Sequence, residues 1–570
     1  MNRQKLSYEH GTSEFPLLHL TIGELFDHIA ETFPDNECVV SVYQKARFTY
    51  REFNDLTDRL AKGLLLLDVK HGDRVSLWAI NRWEWVAMQV ATAKIGAVLV
   101  NINPAYRTHE LKYALQQSES STLVLMDSYK SSKYREMLLE VCPSIALDAP
   151  GRTKIDDLPN LRNVILMDGE SAGMFPFNDI LESGGPVPQE ELRRVQAELD
   201  PDDPVNIQYT SGTTGFPKGV TLTHFNIMNN GHHVAHIMNF TDRDRLCIPV
   251  PFYHCFGMVL SNLVCMSQGA TMVIPSPTFE VEAVLKTIQE EKCTGLNSVP
   301  TMFISLLASP NFDQYDYRTL RTGIMAGAPC PIDTMRELID RMNMREIVIG
   351  YGQTEASPIT TMTRPQDSLE KRVASVGRVV PMQEIKVIDP ATGLTVPRGV
   401  QGEICFRGYQ IMRGYYNNPT ATAEAIDAAR WLHSGDLGVM DNAGYLKITG
   451  RIKEMVIRGG ENLYPREIEE FLRGHDKVLD VYVIGVPDAK YGEELMAWVL
   501  PRDGETLTEE EMRAYCKGKI THFKVPRYWK FVTSMNEFPM TVTGKIQKFR
   551  MREQAIDELN LHDAASIKTA

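Results

Sequence analysis

Apolar residues near the start of the chain recur with helical spacing and alternate with short apolar runs. Thr21 and Glu24 have the spacing of a helix capping box ahead of such a stripe, and Thr49 and Glu52 repeat the arrangement. The runs RVSLWAI, NRWEWVAMQVATAK and GAVLVNI then predict a strand, a helix and a second strand. Strands that alternate with helices indicate a largely parallel α/β sheet covered on both faces, and the same rhythm recurs over 240–350.

The pattern changes after Val380, where EIKVID, GEICFRG and YLKITG predict short strands between glycine and proline turns. From residue 451 onward, KEMVIRG, PREIEEFLRG, DVYVIGVPD, EEEMRAYCKGKI and YWKFV predict a compact α+β domain. The expected fold class is therefore α/β. A large N-terminal domain over 1–450 contains parallel-rich sheets and a small β-rich subdomain, and a small α+β domain covers 451–570.

The composition narrows the range of partners. The chain has 570 residues, 43% of them hydrophobic, and a formal net charge of −13. Proteins that bind duplex nucleic acid usually present a basic surface, so we expect no nucleic-acid partner. No window approaches the roughly 18 uninterrupted apolar residues of a membrane span. The N-terminus has neither a signal-peptide core nor a transit-peptide composition, so we expect a cytoplasmic protein, with a mitochondrial location as the alternative.

The nine cysteines are spread along the chain, and none forms a C-x-x-C pair. An odd number of scattered cysteines in a large chain indicates reduced, mostly buried thiols rather than a disulfide framework.

The segment YTSGTTGFPKGV, between the apolar runs PVNIQ and VTLTH, contains three glycines, four Ser or Thr hydroxyls and one lysine. Successive backbone N–H groups in such a loop form an anion-binding concavity, and a lysine adds a mobile cation, so a phosphate-binding loop is the direct prediction. It is not a Walker loop, because Pro217 precedes Lys218 and β-branched residues follow it. The alternative is a plain hairpin loop.

The same segment resembles the signature of the adenylate-forming (AMP-binding) superfamily. Further stretches that resemble the family follow in the family's order, and together they span about residues 20–555. They are PFYHCFG, AGAP, YGQTE, RGYYNNPTAT, SGDLG, TGRIKEMVIRGGENLYPREIE and PMTVTGK. Within the superfamily, the chain is most similar to fatty acyl-CoA synthetases, especially those of the medium-chain type.

The resemblance implies an ATP-dependent acyl-CoA synthetase that uses Mg²⁺, ATP, CoA and a carboxylic acid, which we expect to be a medium-chain fatty acid. It also implies a mobile C-terminal domain that rotates about Lys453 between adenylation and thioester formation. A homodimer is a further expectation. Two alternatives stay open at this point: an adenylating domain that loads a carrier protein, and a luciferase-like oxygenase.

The resemblance places most of the ATP site. Glu355 and Thr210 are the expected Mg²⁺ ligands, Thr354 is an expected phosphate contact, and Asp436 and Arg451 are expected at the ribose. The expected phosphate-loop residues are Thr210, Ser211, Gly212, Thr213, Thr214, Gly215, Phe216, Pro217 and Lys218. The expected adenine contacts are Tyr351, Gly327, Ala328, Gly352 and Gln353.

The remaining roles also follow from the resemblance. Lys545 is the expected catalytic cation, which bridges the carboxylate and the α-phosphate. Gly459 and Gly460 would line the CoA tunnel. The expected acyl-pocket residues are His254, Phe252 and Gly327. His254 gates the pocket or orients the carboxylate; the alternative is a buried structural histidine.

Two other motifs offer competing chemistry. Ser171 stands in a G-x-S-x-G pattern, but Pro176 and no helical stripe follow it, which disfavours an esterase elbow. His232, His233 and His236 could suggest a metal site, but their segment contains no acidic partner, so an ordinary helix is favoured.

Overall fold

The computed structural model describes residues 5–152, 154–210, 217–328, 330–458, 461–517, 519–541 and 546–562. The chain divides into two compact units. The larger contains Glu9–Ile385 and Phe406–Leu432, and the smaller contains Met1–Tyr8, Lys386–Cys405 and His433–Ala570. The predicted mixed α/β class is confirmed by the sheets described below. The predicted domain boundary between residues 450 and 451 stays a prediction.

The larger unit contains an eight-stranded sheet that is parallel except at one edge. The strands from Pro204–Thr210 to Phe175–Pro176 pair in parallel, whereas Lys218–Thr223 pairs antiparallel with both of its neighbours. The order across the sheet is Gly414–Tyr415, Lys218–Thr223, Pro204–Thr210, Val98–Asn101, Arg74–Trp78, Thr122–Leu125, Asn163–Leu166 and Phe175–Pro176.

The second sheet of the larger unit has nine strands, with a parallel centre and antiparallel edges. Its order is Arg378–Val379, Ile359–Met362, Glu346–Gly352, Thr322–Ala326, Gly295–Leu296, Arg245–Cys247, Thr271–Ile274, Glu37–Ser41 and Ala46–Thr49. An apolar core that includes Leu285, Phe303 and Leu338 packs against this sheet.

The strands and helices of the predicted parallel region are buried. Val98–Asn101 and Thr122–Leu125 are buried throughout, and the helix Trp83–Lys94, which connects Arg74–Trp78 to Val98–Asn101, is buried from Glu84 onward. Parallel strands are covered on both faces because their crossover helices lie there, so their residues form continuous apolar runs. The predicted strand, helix and strand in this region are confirmed.

Both predicted capping boxes are present. Thr21 Oγ1 accepts a hydrogen bond from Glu24 N (3.2 Å), and the Glu24 carboxylate accepts one from Thr21 N (2.7 Å); Thr49 and Glu52 repeat the pattern. The α-helices of the larger unit are Ile22–Thr32, Tyr50–Leu66, Trp83–Lys94, Thr108–Gln117, Tyr134–Val141, Phe177–Ser183, Gln189–Gln196, His224–Ile237, Cys255–Gly257, Val264–Met266, Val281–Glu290, Pro300–Leu307, Ile332–Arg341, Leu369–Ala374 and Pro419–Ala425.

Two further sheets lie mainly in the smaller unit. One has the strand order Tyr8–His10, Gln383–Ile388, Gly402–Gly408, Leu432–Met440 and Leu446–Arg451, which confirms the three short strands expected after Val380. The other has the order Glu461–Leu463, Val456–Arg458, Gly492–Pro501 and Val478–Asp488, and Tyr528–Phe531 pairs in parallel with Gly492–Pro501.

The α-helices of the smaller unit, as far as the described residues show them, are Pro465–Arg473, Glu509–Cys516 and Lys548–Glu558. The first two confirm helices expected from the sequence, whereas the third and the strand Gly492–Pro501 were not predicted. Both packing surfaces of the second sheet are apolar: one core contains Val481 and Leu495, and the other contains Trp498 and Met551.

The cysteines are as expected: none of the nine forms a disulfide, eight are buried and Cys330 is half-buried. In the part of the chain that the structure describes, no helix has both the length and the apolar character needed to cross a bilayer.

A buried ammonium group ties the last helix to the smaller unit. Lys548 Nζ lies 2.7 Å from Glu469 Oε1 and 3.1 Å from Glu454 Oε2, and the Lys548 side chain is only 16% exposed. Burial lowers the pKa of Lys548, but the two carboxylates outweigh it and leave the pKa raised above its ordinary value. Glu469 Oε1 also accepts a hydrogen bond from Val483 N (2.8 Å), so the carboxylate is held on both sides.

We predict that Lys548→Met lowers the free energy of unfolding by about 3–5 kcal/mol, because it leaves the Glu469 carboxylate buried without its cation. Urea unfolding followed by tryptophan fluorescence measures the loss. Lys477→Met is the matched control: Lys477 pairs with Glu511 at 2.9 Å on the surface, and its loss should leave the midpoint unchanged. Equal losses in the two variants would contradict the assigned role of Lys548.

Candidate active site

The strands on either side of the glycine-rich segment form an antiparallel pair. Thr210 and Lys218 are direct partners at the end of that pair, and their side chains are half-buried. Tyr113 Oη donates to Pro217 O (3.1 Å) and fixes the start of the second strand. The hairpin geometry of the flanking strands is therefore present, and it brings the first and last residues of the predicted phosphate loop together.

Tyr415 connects this hairpin to a second motif. Its strand, Gly414–Tyr415, pairs with Lys218–Thr223, and Lys218 Nζ lies 4.7 Å from the centre of the Tyr415 ring. Tyr415 Oη donates to Glu355 Oε1 at 2.9 Å. Burial, and then the neighbouring Glu355 carboxylate, raises the pKa of Tyr415 well above its ordinary value. The phenol therefore stays protonated and keeps donating to the carboxylate.

The YGQTE stretch begins at the carboxyl end of the strand Glu346–Gly352. The chain then forms a 3₁₀ turn over Thr354–Ala356, in which Thr354 is buried and Glu355 is half-buried. Met412 N donates to Glu355 O (2.9 Å), so the backbone of the turn is fixed as well as the side chain. The strand, the 3₁₀ turn and the hydrogen bonds together fix the position of the Glu355 carboxylate.

The AGAP stretch follows the adjacent parallel strand, Thr322–Ala326, so its first residues emerge at the same edge of the sheet as Tyr351. Gly327 adopts φ +88°, a conformation that favours glycine, and both Gly327 and Ala328 are exposed. Gln353 is half-buried beyond the end of the neighbouring strand. The four expected adenine contacts named here thus lie at the carboxyl ends of two neighbouring strands.

The PFYHCFG stretch has a buried side and an exposed side. Phe252 is fully buried and packs against Trp85, with ring centres 5.5 Å apart. His254 is exposed, so the alternative of a buried structural histidine is wrong. His254 Nδ1 accepts a hydrogen bond from Phe256 N (3.2 Å), which caps the short helix after it. Gly257 is needed here because a Cβ would lie 2.2 Å from Pro251 O.

A π-helical turn, Met258–Leu263, continues from this stretch, and no pattern of residues predicted it. Buried polar side chains bond to carbonyl groups in and around the turn: Asn297 Nδ2 donates to Leu260 O (2.8 Å), and Ser261 Oγ donates to Phe256 O (3.0 Å). Such turns are frequent next to functional sites, because the extra residue redirects neighbouring side chains.

In the smaller unit, the two expected ribose ligands pair with each other. Asp436 and Arg451 are direct partners on adjacent antiparallel strands, and Arg451 Nε lies 2.8 Å from Asp436 Oδ1. Asp436 is buried, whereas Arg451 is about half exposed (46%). Lys453 follows in the 3₁₀ turn Ile452–Glu454. The arginine therefore holds the carboxylate in position, which the sequence did not predict.

Several predicted site residues lie outside the described residues. They are Ser211, Gly212, Thr213, Thr214, Gly215, Phe216, Gly459, Gly460 and Lys545. Tyr415 is the opposite case: sequence analysis quoted its motif but assigned it no role. The signal available was its place in RGYYNNPTAT, but its contact with Glu355 spans 60 residues of sequence and needs the structure.

The competing motifs do not form sites. Ser171 stands in a turn, and the next helix begins only at Phe177, so it has no nucleophile-elbow geometry. His232 and His236 lie on the helix His224–Ile237 with their Nε2 atoms 3.1 Å apart. Burial, followed by the His236 neighbour, lowers the pKa of His232 to about 3. No third metal-ligating side chain joins this pair among the described residues.

Family models match most of the chain. The model described as "AMP-binding enzyme" matches residues 26–416, and the model described as "AMP-binding enzyme C-terminal domain" matches residues 467–545. These ranges include the hairpin, the YGQTE turn and the Tyr415 strand.

Individual proteins are similar over nearly the whole chain. "Putative acyl-CoA synthetase YngI" of Bacillus subtilis (strain 168) is 50% identical over 546 residues, covering 96% of this chain and 99% of the relative. "Medium-chain acyl-CoA ligase ACSF2, mitochondrial" of Danio rerio is 43% identical, covering 97% and 91%. The crystal structure of ATP-bound MatB from Rhodopseudomonas palustris has 28% identity and a TM-score of 0.82, covering 95% and 100%.

Proposed function

The chain belongs to the AMP-binding enzyme family, and from this premise we propose that it is an ATP-dependent acyl-CoA synthetase that acts on a medium-chain fatty acid. It converts the acid, ATP and CoA into acyl-CoA, AMP and pyrophosphate. Relatives that match along nearly its full length bear the names of acyl-CoA synthetases and ligases, which supports this reaction class.

The reaction sets the demands on the site. A carboxylate resists attack by a thiol because its oxygen is a poor leaving group. When the carboxylate oxygen attacks the α-phosphorus of ATP, pyrophosphate leaves and an acyl-adenylate forms. The thiol of CoA then attacks the carbonyl carbon, and AMP leaves with the electrons of the broken bond. The protein must position these reactants and offset phosphate charge.

The arrangement around Tyr415 is the observation that carries the proposal. A cation, Lys218, lies over one tyrosine ring, and the hydroxyl of that ring bonds to the Glu355 carboxylate. Binding a triphosphate and its metal ion requires a positively charged side chain near the phosphate oxygens and a carboxylate near the metal ion, so these two side chains must lie close together. Two separate sequence motifs supply these groups, and the third motif supplies the tyrosine between them.

We propose that Glu355 and Thr210 are the protein ligands of the Mg²⁺ that accompanies ATP. The fit rests on the donor set: a half-buried carboxylate oriented by Tyr415, and a hydroxyl at the end of a strand, are hard oxygen donors of the kind Mg²⁺ prefers. When bound, the ion neutralises charge on the phosphates. The buried Thr354 hydroxyl is the proposed phosphate contact next to Glu355.

Asp436 is proposed to accept hydrogen bonds from the ribose hydroxyls of ATP, with Arg451 beside it. The support is that Asp436 is buried and already held by Arg451, so its carboxylate does not need to reorganise when it accepts a new donor. Tyr351, Gly327, Ala328, Gly352 and Gln353 are the proposed adenine contacts.

The uncharged character of the 251–257 stretch supports a plain carboxylic acid. This stretch contains no acidic residue that would bind the amino group of an amino acid. Phe252 is buried, whereas His254 is exposed, so His254 is the residue of this stretch proposed to meet the carboxylate. The medium-chain length rests on the name of the Danio rerio relative, and Phe252 and Gly327 complete the proposed acyl pocket.

The remaining roles rest on resemblance alone. Lys545 is proposed as the catalytic cation, Lys453 as the hinge, and Gly459 and Gly460 as the CoA tunnel. The cytoplasmic location and the homodimer stay predictions, to be tested by cell fractionation and light scattering.

We predict that the purified protein, given MgATP, CoA and single acids, forms acyl-CoA and pyrophosphate fastest with octanoate. The panel runs from acetate through octanoate to palmitate and includes benzoate, and mass spectrometry identifies the thioester. Omitting CoA should leave the acyl-adenylate as the product. Absence of pyrophosphate with every acid would contradict the proposal, and adenylate without any thioester would favour the carrier-loading alternative.

We predict that Tyr415→Phe slows pyrophosphate release roughly tenfold, because the Glu355 carboxylate loses the donor that orients it. The defect should become smaller as Mg²⁺ is raised, whereas the thermal unfolding temperature changes little. Tyr416→Phe is the matched control, since Tyr416 Oη bonds to Glu119 (2.9 Å) instead. Equal rates of pyrophosphate release in the two variants would contradict the proposed role of Tyr415.

We predict that Lys545→Ala slows acyl-adenylate formation by roughly 10²–10³, the usual cost of losing one preorganised donor at a developing charge. Thioester formation from supplied acyl-adenylate and CoA should proceed at the wild-type rate. Stopped-flow measurement of both half-reactions separates the two steps, and an equal loss in each would refute the role.

A further inference from the structure

A group of metal-ligating side chains lies outside the residues given roles above. In the smaller unit, Glu403, Cys405 and His433 bring a carboxylate oxygen, a sulfur and an imidazole nitrogen within 4.8 Å of one another. Across the described ranges of the chain, it is the one cluster of three or more His, Cys, Asp or Glu side chains with ligand atoms this close.

The sheet itself positions these three side chains. Glu403 and Cys405 are two residues apart on the strand Gly402–Gly408, so they lie on the same face. His433 lies on the adjacent strand, Leu432–Met440. All three ligands therefore come from backbone that is fixed by strand pairing.

Two of the three distances in the cluster are close to those between ligands of one metal ion. His433 Nδ1 is 3.0 Å from Glu403 Oε2 and 3.7 Å from Cys405 Sγ. Around a tetrahedral zinc ion with bonds of about 2.0–2.3 Å, neighbouring N, O and S ligands are about 3.3–3.6 Å apart. The third pair, Glu403 and Cys405, lies within 4.8 Å, so an approach of up to about 1.3 Å between these two ligand atoms completes three corners of a tetrahedron.

The surroundings leave one side open. Cys405 is fully buried and the Glu403 side chain is 10% exposed, whereas the His433 side chain is 31% exposed, so solvent reaches the cluster from the histidine. The other Glu403 oxygen, Oε1, accepts a hydrogen bond from Gly435 N (3.1 Å). An outer hydrogen bond of this kind orients a metal-binding carboxylate.

We propose that Glu403, Cys405 and His433 form a zinc-binding site with one coordination position left for water. Thiolate, imidazole and carboxylate are the ligands that Zn²⁺ takes, whereas Mg²⁺ takes oxygen ligands, so the Mg²⁺ of ATP does not compete. As zinc binds, the Cys405 thiol releases its proton to the buffer and its sulfur lone pair forms the metal bond. Because binding is measured directly, this inference does not depend on the proposed reaction.

The test uses the full chain after treatment with a chelator. Calorimetry should show one Zn²⁺ bound per chain, and Co²⁺ in its place should give the near-ultraviolet thiolate-to-metal absorption band. Cys405→Ser should abolish that band and weaken zinc binding by roughly tenfold or more. Magnesium at the concentration used with ATP should not displace the ion.

Two variants serve as matched controls, and each should keep the wild-type band and affinity. Cys330→Ser removes the half-buried cysteine of the larger unit, and His236→Ala removes one member of the His232–His236 pair, which supplies only two ligand atoms. A Cys405→Ser protein that retains both the band and the affinity would overturn the site, as would a wild type that binds no zinc. If circular dichroism shows Cys405→Ser unfolded, Glu403→Gln decides by the same affinity criterion.

Discussion

The hydrogen bond from Tyr415 to Glu355 is the contact on which the candidate site of the larger unit depends. Glu355 follows a strand of the nine-stranded sheet, and Tyr415 lies on the edge strand of the eight-stranded sheet, so this one hydrogen bond links the two sheets. Because burial and the carboxylate keep the phenol protonated, the bond persists across the physiological pH range. Because Lys218 lies over the same ring, the ring also fixes the position of the Lys218 ammonium group relative to the Glu355 carboxylate.

A protein with a net negative charge must bind a polyanionic substrate through positively charged groups in the binding site itself. With a formal net charge of −13, the chain as a whole repels ATP, so attraction has to come from groups within a few ångströms. Lys218 and Arg451 illustrate two ways of doing this. Lys218 lies over the Tyr415 ring and does not pair with the Glu355 carboxylate, so its positive charge can attract phosphate. Arg451 is paired with Asp436, so it orients that carboxylate and adds little net positive charge to the site.

Local signals in the sequence were sufficient for much of the fold. The capping residues Thr21 and Thr49 and the buried apolar runs fixed helices and strands, because each signal acts within a few residues. The strand Gly492–Pro501 was not predicted, because it begins with the polar residues GEE and so lacks the apolar pattern of a central strand. Its central position follows only from its pairing with a strand on each side. The Tyr415 and Arg451 contacts were also missed, because side-chain partners distant in sequence leave no periodic pattern.

The buried Lys548 shows how one ionic contact positions the helix Lys548–Glu558 in the smaller unit. Lys548 begins its helix three residues after Lys545 in the sequence, and its ammonium is held by carboxylates from a 3₁₀ turn and from the helix Pro465–Arg473. A buried charge cannot leave such partners without a large desolvation cost. The start of this helix is therefore fixed against the turn Ile452–Glu454 and the helix Pro465–Arg473, which supply the two carboxylates.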